Sequence, residues 1–281
     1  MSSGFVFERV GIVGLGLIGG SLARALHRLD NGPRIVAFNR NRDEAERALA
    51  DGVIDAVAGT AQEAVQGQDL VVYATPLDVV REMMKAHSGA WGDATVTDVA
   101  GLKAPLLREA SELGFAAQFL GCHPMAGGTA SGYEASSADL FSDETVFVCG
   151  GDAEGERIRA VESMWQALGA RVRPIDADAH DRLMVWASHL PQLVANVVAH
   201  AMAEAGLSVK DLGPGGRDLT RLAESSPEMW TVLLDEASGE NIRAIESVQR
   251  GLDAVRTAFS EHSLEEVADL MRATREWRQE Q

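Results

Sequence analysis

The sequence predicts an α/β chain in which an N-terminal Rossmann-type doubly wound sheet is followed by an all-helical domain. Three observations carry this. A GxGxxG stretch follows the first apolar run and opens a helix. From Arg9 to about Pro174, short apolar runs alternate with longer amphipathic stretches, the rhythm of strands joined by helical crossovers. After Asp176 the strand-like runs stop, and Leu183, Trp186, Leu190, Leu193, Val194, Val197 and Ala201 recur at helical spacing. The reading divides the chain at 175, into residues 1–175 and 176–281.

Seven runs are candidate strands: RVGIVG, RIVAFN, DLVVYAT, ATVTDV, AQFLGC, TVFVCG and ARVRPI. The first leads into Gly14, Gly16 and Gly19. Gly14 permits a tight turn, Gly16 lets backbone approach a pyrophosphate, and Gly19 lets helix and strand pack closely. Free N–H groups at the helix start, at Leu17 and Ile18, attract phosphate. The second run ends at Asn39, where an NAD-binder usually carries an acid for the ribose 2′-hydroxyl. With Arg40 and Arg42 beside it, this position favours NADP over NAD.

Beyond the sheet, one helix is expected from about Ala177 to Ala205, kinked at Pro191. GPGG at 213–216 breaks the chain before a helix from Arg217 to about Ser225, and Ser263 with Glu266 reads as a capping box opening the last helix.

A net charge of −17, with no basic patch, argues against nucleic acid or an anionic membrane as partner. No window approaches eighteen uninterrupted apolar residues and no targeting segment is read at the N-terminus, so the expected setting is the cytoplasm. Cys122 and Cys149 are the only cysteines and no metal-ligand cluster is visible, so neither a disulfide framework nor a metal site is expected.

The stretch GCHPMAGGTASG, residues 121–132, sets His123 one residue past the fifth run, at the sheet edge where open α/β folds bind ligands. An imidazole there suits a base that takes a hydroxyl proton as hydride leaves the same carbon. Pro124 restrains its backbone, and Gly127, Gly128 and Gly132 allow a loop to close nearby. Cys122 reads as a small buried hydrophobe, since no oxyanion-hole signature accompanies it.

Together the fingerprint, YATP (73–76), TDVAGLK (97–103), GCHPMAGGTASGYEASSADLF (121–141), HDRLMVWASHLPQLVA (180–195) and GGRDLTRLAESSPEMW (215–230) resemble the prephenate and arogenate dehydrogenase family, nearly end to end. The resemblance implies oxidative decarboxylation of prephenate in tyrosine biosynthesis, by a nucleotide domain and a helical domain that forms a homodimer. It implies His123 as the base and Arg221 as the substrate-carboxylate arginine, with Asp218 orienting it. Pocket positions at His180, His189, Gln192 and Trp230, and cofactor contacts at Thr75, Pro76 and Gly101, also follow from it. The chain departs from the family pattern in three places. Gln192 stands where a histidine is common, Gly101 where a serine is common, and Gly128 with Thr129 where threonine and glutamate are common. A neutral Thr129 pairs poorly with an ammonium, which favours prephenate over arogenate. The alternatives are an arogenate or dual-specificity enzyme, a 3-hydroxyacid dehydrogenase or imine reductase, and a non-catalytic nicotinamide sensor.

Overall fold

The computed structural model describes residues 6–128 and 130–280. Runs of Val, Ile and Leu bounded by Gly, Asn and Asp become strands buried on both faces, as a sheet covered by crossover helices requires. These are β1 (Arg9–Val13), β2 (Arg34–Phe38), β3 (Ala56–Val57), β4 (Leu70–Tyr73), β5 (Thr95–Asp98), β6 (Phe119–Pro124), β7 (Thr145–Cys149) and β8 (Arg171–Pro174). They form one sheet in the order 3-2-1-4-5-6-7-8. The sheet has one strand more than the seven expected, because β3 is two residues long and gives no period to read.

Helices α1 (Leu17–His27), α2 (Arg42–Ala50), α3 (Ala61–Val65), α4 (Leu77–Ala86), α5 (Ala104–Glu112) and α6 (Gly155–Ala167) cover the sheet. Two apolar clusters result. Leu22, Leu26, Phe141 and Trp165 lie in one, and Val80, Met84, Trp91 and Phe119 in the other. The sheet is not wholly parallel. β6 and β7 pair antiparallel, with His123 opposite Phe147. A parallel return needs a crossover of a dozen or more residues, usually helical. The glycine-rich link 125–144 has only a short 3₁₀ turn, Tyr133–Ala135.

The helical part comprises α7 (Ala177–Met184), α8 (Leu190–Glu204), α9 (Pro214–Thr220), α10 (Pro227–Glu236), α11 (Ser238–Ser260) and α12 (Leu264–Gln279). The helix expected over 177–205 runs without a break as α7, a π-type turn (Val185–His189) and α8, so its irregularity lies in the turn just before Pro191. Pro191 has no N–H to donate and stands in the first turn of α8, where none is needed. α9 begins at Pro214 rather than Arg217, for the same reason. Ser263 precedes α12, but its hydroxyl donates to the Glu266 carboxylate (3.0 Å) and caps no backbone N–H, so no capping box forms. Among the described residues no helix is long and apolar enough to cross a membrane.

Candidate active site

At the end of β1, three glycines answer different needs. Gly14 has φ +100°, and a Cβ on it would lie 2.4 Å from the Ala74 carbonyl oxygen. A Cβ on Gly19 would lie 1.9 Å from the Gly14 oxygen, so the first turn of α1 could not sit on the strand. A Cβ on Gly16 would meet nothing within 4 Å, so the fold's own packing does not demand that glycine. The open space is where a ligand's pyrophosphate would approach. Gly16 gives α1 no side-chain cap and the first turn holds no acid, which leaves the Leu17 and Ile18 N–H groups to an anion. Thr75 presents a buried hydroxyl with no partner among the described residues, and Pro76 precedes α4 beside it. These residues fit a dinucleotide.

The ribose end differs from the reading of the sequence. Asn39 is occupied within the protein: its Oδ1 accepts the Leu15 N–H (3.0 Å), and its Nδ2 donates to the Asn41 carbonyl (3.1 Å) and to Glu44 Oε2 (2.6 Å). A carboxylate from α2 therefore stands where the strand end has none. Arg42 pairs with Glu46 (2.8 Å), leaving Arg40 exposed and without a partner among the described residues. The glycine-rich loop returns to this corner, since a Cβ on Gly132 would lie 2.8 Å from Glu44 Oε1.

His123 belongs to β6 itself rather than to the loop after it. Its Nδ1 lies 3.0 Å from Nε2 of His180, which is fully buried on α7 and stacks edge-on against Phe147. His180 Nδ1 lies 2.7 Å from Asp181 Oδ1, and the same carboxylate accepts the Lys103 and Ala104 N–H groups (2.8 and 2.9 Å). α5 has no side-chain cap of its own, so Asp181 caps it from the neighbouring helix. Asp176 caps α7 by accepting the Ala179 N–H, which sets the register that brings His180 inward.

Under β6, the fully buried Lys103 donates through Nζ to Asp98 Oδ2 and to the Cys122 carbonyl (2.7 Å), fixing the strand that carries His123. Burial, then the Lys103 cation, His180 and His189, hold the His123 imidazole well below its ordinary range. His123 is therefore a neutral acceptor at neutral pH. Burial pushes the Cys122 thiol up to about 11, and its sulfur accepts from Thr97 and from Trp165, each at 3.3 Å. It has no nucleophilic character.

From the helical part, the π-type turn presents His189, whose Nδ1 faces Asn241 Oδ1 (3.3 Å) and whose ring meets Trp230 edge-on at 5.7 Å. Gln192, one turn on, donates through Nε2 to the Leu222 carbonyl (2.8 Å). Its Oε1 and Trp230 Nε1 are buried without partners among the described residues. Arg221 follows α9 in the 3₁₀ turn 221–224, exposed and unpaired among the described residues. It lines a groove of about 410 Å³ with Met202, Leu212, Arg217 and Asp218, and His123 is not part of that lining. The expected Asp218–Arg221 pair does not form. Gly101 faces Leu233 of α10, 3.4 Å from where its Cβ would be. Thr129 lies outside the described residues.

Reading the sequence missed Asp181, Lys103 and Glu44, and placed His180 near the pocket only through the family resemblance. The dipeptide His180-Asp181 at a helix start was the available signal. Among the described residues no cluster of His, Cys, Asp and Glu could hold a metal ion.

A dinucleotide turn on a nearly all-parallel sheet, with a half-buried histidine held by a buried one between that sheet and a helical half, defines a two-domain nicotinamide-dependent dehydrogenase. Two family models match the chain: the prephenate dehydrogenase nucleotide-binding domain over residues 22–174 and the prephenate dehydrogenase dimerization domain over 176–273. The chain belongs to the prephenate dehydrogenase family of oxidoreductases. Bacillus subtilis prephenate dehydrogenase is 30% identical over 275 residues, 95% of this chain and 74% of the relative. Prephenate dehydrogenase from Aquifex aeolicus, solved with hydroxyphenyl propionate and NAD+, superposes with TM-score 0.90 at 26% identity over 99% of both chains. Synechocystis arogenate dehydrogenase superposes with TM-score 0.80 at 26% identity, over 96% of this chain and 98% of that one.

Proposed function

We propose that the chain converts prephenate to 4-hydroxyphenylpyruvate as a homodimer, with NAD preferred to NADP, and that His123 is the base. The observation that carries this reading is the engagement of His123 Nδ1 by His180, while Nε2 makes no hydrogen bond among the described residues. Nε2 is the atom left to meet a substrate hydroxyl.

When bound, the nicotinamide supplies the hydride acceptor. His123 takes the proton of the 4-hydroxyl as the hydrogen on the same carbon departs with its electron pair, leaving a dienone. The bond to the ring carboxylate then breaks, its electrons close the aromatic ring, and carbon dioxide leaves. The proton held on Nε2 returns to the phenolate oxygen. Substrate and product carry the same hydroxyl proton, so the site has no net proton to discharge.

The unpaired Arg221 guanidinium is suited to a carboxylate. It is joined to the pocket through its neighbour Leu222, whose carbonyl Gln192 holds. The orphaned Gln192 Oε1 and Trp230 Nε1 supply an acceptor and a donor beside His189. Glu44 favours NAD, because a carboxylate accepts from a 2′-hydroxyl and repels a 2′-phosphate. Apolar side chains exposed on the family's dimerisation half support the homodimer.

Initial rates with prephenate and arogenate, each with NAD and NADP, test the reading. Prephenate with NAD is expected to be fastest. His123→Asn is expected to lower turnover by roughly 10²- to 10⁴-fold with cofactor affinity preserved. Preference for arogenate or NADP overturns the corresponding part, and undiminished turnover in the variant overturns the base.

A further inference from the structure

We propose that Asp181 and His180 act as positioning residues that fix the tautomer of His123, keeping the proton on Nδ1 and the lone pair on Nε2. The inference rests on the assignment of His123 as the base and concerns what makes it one.

The order of partners carries the argument. The Asp181 carboxylate is pinned by two backbone N–H groups at the start of α5, so it turns acceptor oxygens, and nothing else, towards His180. His180 Nδ1, at 2.7 Å, must then be the protonated nitrogen of that ring. In a neutral imidazole the other nitrogen is an acceptor, so His180 Nε2 accepts across its 3.0 Å contact and His123 Nδ1 carries the proton. The lone pair of His123 is thereby left on Nε2. With both rings neutral, reversing any one of these bonds would set two acceptors or two donors against each other.

The surroundings favour a neutral His123. His123 is flanked by the Lys103 ammonium, His180 and His189, and burial with these neighbours holds it well below its ordinary range. A neutral histidine has two tautomers, one of which is useless as a base towards the substrate. The chain also has Gly101 where the family pattern places a serine, so no side chain at that position restrains the ring. The dyad is not a proton exit, because the reaction releases no net proton. Its work is orientation, and it stabilises the imidazolium that exists between hydride departure and return of the proton.

The test reads the protons directly. In the ¹⁵N-labelled wild-type enzyme with NAD bound, two-bond ¹H–¹⁵N imidazole spectra at pH 7.5 are expected to show His123 protonated on Nδ1 and bare on Nε2. His180 is expected to show the same pattern. In Asp181→Ala the His180 Nδ1–H loses its fixed acceptor, so neither ring is held in one tautomer. Turnover is then expected to fall by about 10²- to 10³-fold, with the substrate KM and the NAD Kd changed by no more than about threefold. His180→Gln keeps an acceptor for His123 Nδ1, whereas His180→Phe keeps only the ring shape. The glutamine variant is expected to be at least about tenfold faster than the phenylalanine variant. A wild-type spectrum with the His123 proton on Nε2, or with His180 doubly protonated, overturns the proposal, as does equal turnover in the two His180 variants. The spectra decide it even if a variant fails to fold. Loss of turnover in His123→Asn alongside full activity in Asp181→Ala sinks the relay and spares the base, whereas activity retained in His123→Asn sinks the base.

Discussion

Residues 9–174 put their large apolar side chains out of water within one chain, whereas residues 177–279 leave many of theirs in it. In the sheet half, the Val, Leu, Phe and Trp side chains of both clusters are buried, and Leu49 is its one markedly exposed large hydrophobe among the described residues. In the helical half, Trp186, Val197, Ile242, Leu252, Phe259, Met271 and Trp277 are exposed, and its buried apolar residues reduce to Met184, Val185 and three alanines. Ile245, Leu252 and Phe259 recur every seven residues along α11, with Ile242 one turn earlier, so the exposed groups form a stripe. The two halves divide the work between them. The sheet half buries its own large side chains and holds charges such as Lys103 and Asp98 in fixed places, and the helical half leaves an apolar stripe uncovered where the chain matches the family's dimerization domain.

Breaking the sheet half from within is expected to have the largest effect. Lys103→Met leaves Asp98, wholly buried, without its cation and the Cys122 carbonyl without a donor. Removing one member of a buried ion pair costs about 3–5 kcal/mol, to be read from denaturant unfolding at neutral pH. A loss below about 1 kcal/mol would show that the pair is dispensable. On the other side of the comparison, Leu252→Asp should undo association and leave the sheet intact. Burying one leucine stabilises by about 1.5–3 kcal/mol, and twofold symmetry counts it twice, so the dimer should weaken by roughly 10²- to 10⁴-fold. Light scattering should then report a monomer whose NAD affinity is unchanged. An undisturbed dimer would remove the α11 stripe from the interface.

The same contrast explains what could be read from sequence. Gly14, Gly16 and Gly19 and the long strands were legible because their constraints are local: a turn, a close approach, a period. β3 was not, being too short for a period, and neither was the antiparallel β7, whose direction depends on what the 125–144 link lacks. Asp181 reaches Lys103 across 78 residues and His180 reaches His123 across 57, contacts with no local signature. Glu44 was missed because an acid was sought at the strand end itself, and the structure brings one in from the following helix through Asn39. Arg221 was singled out by motif, and the orienting contact expected from Asp218 is absent among the described residues, the helix that carries Asp218 ending at Thr220.

The smallest expected effect is in the pH profile, where the two halves meet at buried histidines. Burial lowers both His123 and His189, and for His123 the Lys103 ammonium and the rings of His180 and His189 push the same way, while Asp181 stands behind His180. A base of ordinary pKa, near 6.5, would lose about tenfold in neutral fraction between pH 7.5 and 5.5. With its folded value depressed, His123 should keep its lone pair over that interval, so kcat/KM should fall by clearly less than tenfold. Stability should move in the opposite sense. Below about 6.5 the unfolded chain binds protons that these native histidines refuse, so the native state loses stability as pH falls through that value and goes on losing it down to the folded pKa. Activity per folded molecule should therefore outlast the fold on the acid side. A rate profile and an unfolding series run in the same buffers test this, and an acid limb in kcat/KM centred at 6.5 or above would mean that the histidine doing the chemistry is not the buried one between the two halves.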